Sequence, residues 1–175
     1  PIMYQQANWS GGITYRCPFY AMVGHNILIS FPASHDIKVY NIADNSINDI
    51  YAGSRYIKTI NSFPYNKNSQ KFSSSKAWNW YMETPSYEGI VYDKYRDKYY
   101  RIARLPASDS QQKLKGNRKP ISIIILDSSL NYEGEVLLDQ QKHYIPSNCF
   151  VTKEGLCIQI LTKNENAFEY ETFIL

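Results

Sequence analysis

The chain has 175 residues and a mass of 20.4 kDa, enough for one domain with a sizeable core and too little for two well-packed ones. Hydrophobic residues make up 43% and charged residues 20%. These values exclude disordered and collagen-like classes, and no apolar run approaches the roughly 20 residues of a membrane-spanning helix. Nineteen Lys and Arg against sixteen Asp and Glu leave a formal charge of +3, spread without a basic block, so nucleic acid is not an expected partner.

In chain order the residue choice favours strands. Ile and Tyr are prominent, Ala and Leu modest, and no segment sustains an amphipathic helical period over three turns. The predicted strands are Ile13 to Arg16, Asn26 to Phe31, Ile37 to Ile42, Ile47 to Tyr51, Gly89 to Tyr92, Lys98 to Leu105, Ile121 to Leu126, Gly134 to Leu138, Cys149 to Thr152, Leu156 to Leu161 and Glu169 to Ile174. Short polar punctuation separates most of them, such as Asp44-Asn45, Lys153-Glu154-Gly155 and Asn164-Glu165-Asn166, as in antiparallel hairpins.

The hairpins fall into three groups, and a repeated four-stranded unit is the sequence mark of a propeller blade. The expected fold is therefore all-β and propeller-like, a single domain with antiparallel blades at about 13–52, 87–139 and 148–175. The last group stops where an outermost strand belongs, so it needs a strand from elsewhere. Setting aside residues 57–86 and 106–120 as insertions leaves about three repeats of the roughly 40 to 45 residues of a blade. Three blades do not close a ring, since propellers usually have about four to eight. The expectation is that a missing N-terminal half or a second copy of the chain completes it.

The runs FPASHDIKVYNI, YEGIVYDKYRDKYYRIARLP and KPISIIILDSSLNYEGEVLLDQQKHYIPSNCFVTKEGLCIQI resemble the C-terminal half of the bacterial domain-of-unknown-function family 4221. That resemblance implies half of a six-bladed propeller and a location at the bacterial cell envelope, periplasmic or on the outer surface, as a predicted lipoprotein. Membrane association would then come only through a lipid anchor. The opening Pro1-Ile2-Met3-Tyr4 has neither an initiator Met nor the charged-then-apolar start of a secretion signal and reads as the interior of something longer. The family brings no activity to carry over.

Three cysteines, Cys17, Cys149 and Cys157, lack metal-site spacing and read as buried thiols. A Cys149–Cys157 disulfide is disfavoured because the predicted hairpin does not set the two residues opposite one another. No metal and no cofactor are expected. His25, His35 and His143 are scattered, and neither a nucleophile elbow, a phosphate-cradling Gly-rich loop nor an HExxH pair is present. A non-catalytic binding or scaffold module is the leading expectation, with carbohydrate or peptide as ligand. The alternatives are a propeller hydrolase or lyase acting on carbohydrate or lactone, with carboxylates meeting from different blades, and a purely structural interaction module.

In a propeller the loop entering a blade shares a face with the loop between its second and third strands, so the two insertions are expected side by side. Long loops on a rigid scaffold are where binding usually lives. The first carries Trp78, Trp80 and Tyr81; the second carries Lys113, Lys115, Arg118 and Lys119. Aromatics beside cations suit a glycan, an anionic polymer or a peptide, and the candidate ligand residues are Trp78, Trp80, Tyr81, Lys113 and Arg118. The competing reading packs the tryptophans as a small satellite core and leaves the cations solvated. Arg16, Tyr92 and Asp93 fall on predicted innermost strands and are candidates to face a central channel.

Overall fold

Strand-forming runs separated by turn residues dominate the computed structural model, which describes residues 17–63, 74–107, 118–164 and 166–175. Eleven strands and one helix appear among them. The first sheet runs in the order β1 (Phe19–Val23), β2 (Asn26–Ser30), β3 (Asp36–Asn41) and β4 (Ile47–Tyr51). The second runs β5 (Ser86–Asp93), β6 (Lys98–Arg104), β7 (Ile121–Leu126) and β8 (Tyr132–Leu137). The third comprises β9 (Tyr144–Val151), β10 (Leu156–Ile160) and β11 (Glu169–Phe173). All pairings are antiparallel. The first strands of successive sheets lie together, β1 beside β5 and β5 beside β9, so the sheets follow one another like blades.

The middle sheet is covered on both sides, and its sequence shows why. Tyr99 and Ala103 of β6, with Ile124 and Leu126 of β7, join Leu28 and Ile37 of the first sheet in one core. Tyr100 and Ile102, with Ile121 and Ile123, join Leu156 and Ile158 of the third sheet in another. Alternate side chains thus serve opposite cores, and a strand buried on both faces reads as a near-continuous apolar run, as in the β7 segment ISIIIL, broken only by Ser122.

Most predicted strands agree with the structure to within a residue or two. The expected strand Ile13 to Arg16 lies outside the described residues, and the first strand seen is β1, beginning directly after Pro18, which has no N–H to give to a ladder. β5 is longer than expected because a register shift between Tyr87 and Ile90 interrupts its alternation. β9 is longer as well. Pro146 and a second irregularity hide its first half from a pattern search, and its place at the edge of the described sheet tolerates the proline. Cys149 pairs with Ile158 and Cys157 with Phe150, and all three cysteines are free thiols; contrary to expectation only Cys157 is buried, Cys149 being half-buried and Cys17, just ahead of the first strand, exposed.

The helix α1 (Ser74–Glu83) lies in the first insertion. At ten residues it falls just short of three turns, too brief to register as a sustained period. Ala77 and Trp80, three apart on one face, pack with Ala33 and Phe63 in a small core of their own.

Arg101, in the middle of β6, is completely buried and ties the first two sheets together. Its Nε donates to Ser30 Oγ at 3.0 Å, one terminal nitrogen donates to the carbonyls of His35 and Ala52 at 2.6 and 2.9 Å, and the other donates to the Ser34 carbonyl at 2.8 Å. The guanidinium also lies 3.8 Å from the centroid of the Tyr87 ring, a cation–π contact shielded from water. These acceptors sit at the end of β2, in the β2–β3 turn and just after β4. Glu135 of β8 holds the same stretch from the other side, accepting from the hydroxyls of Ser54 and Ser122 at 2.6 Å each and from the Arg55 N–H at 2.8 Å. Replacing Arg101 with Met strands the buried carbonyls of Ser34 and Ala52, each worth about 1–3 kcal/mol when unpaired, while the His35 carbonyl keeps the Ala52 N–H. Urea denaturation is expected to show a loss of about 2–6 kcal/mol, and Arg101→Lys is expected to recover little, since an ammonium lacks the planar fork.

Candidate functional site

The two insertions converge. After β4 the chain passes through Arg55–Asn61 and α1 before entering β5, while the second insertion leaves β6 at Leu105 and returns at Arg118. Two hydrogen bonds join them: the Ala107 N–H donates to the Met82 carbonyl at 2.9 Å, and the Lys119 ammonium donates to the Thr84 carbonyl. The same ammonium lies 4.6 Å from the centroid of the Tyr81 ring. Tyr81 in turn packs against Trp78 at 5.5 Å between centroids.

The aromatic residues of α1 divide their roles. Trp80 is 8% exposed, meets Phe63 edge-on at 5.5 Å and donates its indole N–H to the Asn61 carbonyl at 3.3 Å. It belongs to the satellite core. Trp78 is 41% exposed, so its indole face is open beside Tyr81. Lys113 lies outside the described residues.

On one side of the Lys119–Thr84 contact lies a groove of about 360 Å³, lined by Tyr56 to Thr59, Asn61, Glu83 to Pro85 and Pro106, within the size range of small-ligand sites. On the other side is a narrower recess of about 30 Å³, lined by Arg104, Arg118, Lys119, Lys142, His143 and Asp139 among others. The recess forms where the end of β6, the start of β7 and the β8–β9 connection meet. Lys142 and His143 come from that connection and Arg104 from a strand end; sequence reading missed all three because nothing local marks residues that converge from separate hairpins.

Charge in the recess is positive. Arg104 is paired with Glu88, and Lys142 with Glu171 at 2.7 Å. Asp139 accepts the Gln141 N–H at 2.9 Å within its own turn. Burial, with Arg104 nearby, presses the Lys119 ammonium down to about 7, against a small opposing pull from Glu88. Burial also lowers His143, helped by Arg118 and Arg104.

The channel candidates Tyr92 and Asp93, at the end of β5, are engaged locally. Asp93 ends β5 with its carboxylate enclosed, accepting from the Tyr95 and Arg96 N–H groups, from the Arg96 guanidinium at 3.1 Å and from the Tyr100 hydroxyl at 3.0 Å. Burial by itself would raise its pKa, but these donors outweigh it and hold the carboxyl below its ordinary value. Arg96 reaches on to the Lys153 carbonyl at 3.0 Å, linking this turn to the third sheet. Tyr92 donates to Asp97 at 2.7 Å and packs on Tyr99. Arg16 is outside the described residues. Where β1, β5 and β9 lie side by side there is a further groove of about 320 Å³, lined by Phe19, Tyr20, Gly89, Val91, Pro146 and Cys149 among others; burial pushes the Cys149 thiol up to about 11. Among the described residues no three of His, Cys, Asp and Glu gather as metal ligands.

The depressed Lys119 has a consequence for stability. Between about pH 7 and the unfolded value near 10.5 the unfolded chain holds a proton there that the folded chain has released, so stability rises with pH through that window and is lower below it. Thermal melts at pH 6, 7.5 and 9 are expected to show this gain, of about 1.4 kcal/mol per pH unit at most above pH 7, and Lys119→Met is expected to flatten it.

A family model described as domain of unknown function (DUF4221) matches residues 2–137. A crystal structure of a member of that family from Bacteroides vulgatus is similar over 90% of this chain, with a TM-score of 0.65 and 25% sequence identity. The match covers 46% of that structure, so the present chain spans about half its length. No curated protein matches. Since the family model takes in well over half of the residues, the chain belongs to the DUF4221 family.

Proposed function

We propose that this chain is a non-catalytic binding module, half of a six-bladed β-propeller acting at a bacterial cell envelope, and that its ligand lies on the face where the two insertions meet. The observation that carries the reading is the junction itself: Lys119 of one insertion against Tyr81 of the other, with the open face of Trp78 alongside. An exposed tryptophan backed by a second ring offers a flat amphipathic surface, and the adjoining groove has room for a short oligosaccharide or peptide segment. The half-propeller reading is supported by the adjacency of β1, β5 and β9 and by a family relative about twice as long. The envelope location is supported by the family resemblance of the sequence. Binding rather than chemistry is favoured by the way the enclosed acids Asp93 and Glu135 are spent on holding turns and backbone.

The two tryptophans separate function from packing. Titrating a panel of oligosaccharides against intrinsic fluorescence is expected to find a ligand whose affinity falls at least tenfold in Trp78→Ala, with stability changed by no more than about 0.5 kcal/mol. Trp80→Ala is expected to cost about 3 kcal/mol through its cavity. A ligand bound equally well without Trp78 would place the site elsewhere.

A further inference from the structure

The recess beside Lys119 holds an unmet demand. The Nε of Arg118 is buried there with no hydrogen-bond partner among the described residues. A buried N–H of a charged group left unpaired is costly, and such groups in native proteins point to an acceptor supplied from outside the chain. The surroundings favour a negative one. Four cations, Arg104, Arg118, Lys119 and Lys142, line the recess against one acid, Asp139, and Asp139 is turned to its own backbone. Glu88 and Glu171 neutralise Arg104 and Lys142, so the excess positive charge centres on Arg118.

We infer that this recess binds an oxyanion carried by a carbohydrate, a uronate carboxylate or a sulfate ester, with Arg118 as its main donor. The inference deepens the binding reading above and rests on it. A volume of about 30 Å³ accommodates one or two oxygen-sized atoms, so the group enters by its oxygens while the ring stays at the mouth. A guanidinium suits this task, because its N–H fork matches the paired oxygens of carboxylate and sulfate. The step from Lys119 to Tyr81 to Trp78 then offers aromatic faces to the attached sugar, which is why a carbohydrate is favoured over an acidic peptide. A bound anion would also draw a proton to Lys119, whose pKa lies at about 7, and charge on His143 would add in the same direction. Asp139, Glu88 and Glu171 are the acids that face these groups; Glu171 is held below its ordinary carboxylate value, and Tyr81 and Tyr144, both raised by burial, remain neutral. Binding therefore tightens as the pH falls from 8 to 6.

The test is calorimetric titration of the full chain with D-glucuronate, inorganic sulfate, a short acidic peptide and neutral D-glucose, at pH 6 and pH 8. Glucuronate and sulfate are expected to bind and glucose to bind at least tenfold more weakly. Arg118→Gln is expected to cut both anions at least tenfold, with Arg118→Lys in between, and Trp78→Ala to weaken glucuronate but not sulfate. Unchanged anion binding in a folded Arg118→Gln variant would overturn the proposal, as would an acidic peptide bound as well as glucuronate and indifferent to Trp78→Ala. No anion binding alongside a neutral oligosaccharide that still depends on Trp78 would overturn the oxyanion site and leave the broader binding reading standing. No sugar bound at all would remove both.

Discussion

A single buried guanidinium organises the join between the first two sheets, and the face where the two insertions meet is built outward from that join. Arg101 sits in the middle of a strand and uses its donors on the Ser30 hydroxyl and three backbone carbonyls. Backbone carbonyls that leave a sheet need partners once they are buried, and the ends of β2 and β4 bend away from their ladders at this point. The arginine supplies those partners from the neighbouring sheet. The Tyr87 ring covers its charge, and the Tyr87 hydroxyl accepts the Ser54 N–H at 3.0 Å while sharing a 2.7 Å hydrogen bond with His35 Nδ1. Burial pushes that tyrosine up to about 12, so it stays neutral.

With this stretch held, the path of the first insertion is set. The chain emerges from Ala52 to Ser54 between Arg101 and Glu135 and enters the insertion in a defined direction. The Tyr87 N–H returns to the Pro32 carbonyl at 2.9 Å, closing the insertion at its far end. α1 is then held by Trp80 in a small core, which leaves Trp78 facing outward and Tyr81 toward Lys119. The meeting of the two insertions is in this sense a by-product of the way two sheets are locked, with long segments placed on a rigid base.

The fold was legible where strands obey simple rules. The β2–β4 meander has turn residues between its strands, β3 sets Ile37 and Val39 at alternate positions, and the Ile-rich β7 betrays burial on both faces. Legibility failed at the first strand of each sheet. β1 follows a proline, β5 carries a bulge at Glu88-Gly89 and β9 contains Pro146, and each of these breaks the period that pattern reading needs. Of the ligand candidates, Tyr81 meets Lys119, the chain neighbour of Arg118, because the two insertions converge, as the spacing of strands announces. Trp78 and Trp80 are indistinguishable in sequence; only the direction of a short helix against Phe63 and Ala33 separates the exposed ring from the buried one. Arg101 was invisible for a related reason, since an Arg on a Tyr-rich strand reads as surface charge until the sheet beside it is known.

If Arg101 and Glu135 lock the sheets in this way, residues 52–55 and the entry into β5 belong to the same cooperative unit as the middle sheet. The decisive measurement is native-state hydrogen exchange on the amides of Ala52, Ser54, Arg55 and Tyr87, each with a specific acceptor in His35, Tyr87, Glu135 and Pro32. These amides are expected to exchange only through global unfolding, with the same free energy as the central amides of β6 and β7. Exchange through local opening, several kcal/mol below that limit, would contradict the lock and show the insertion to be hung on the scaffold rather than built into it.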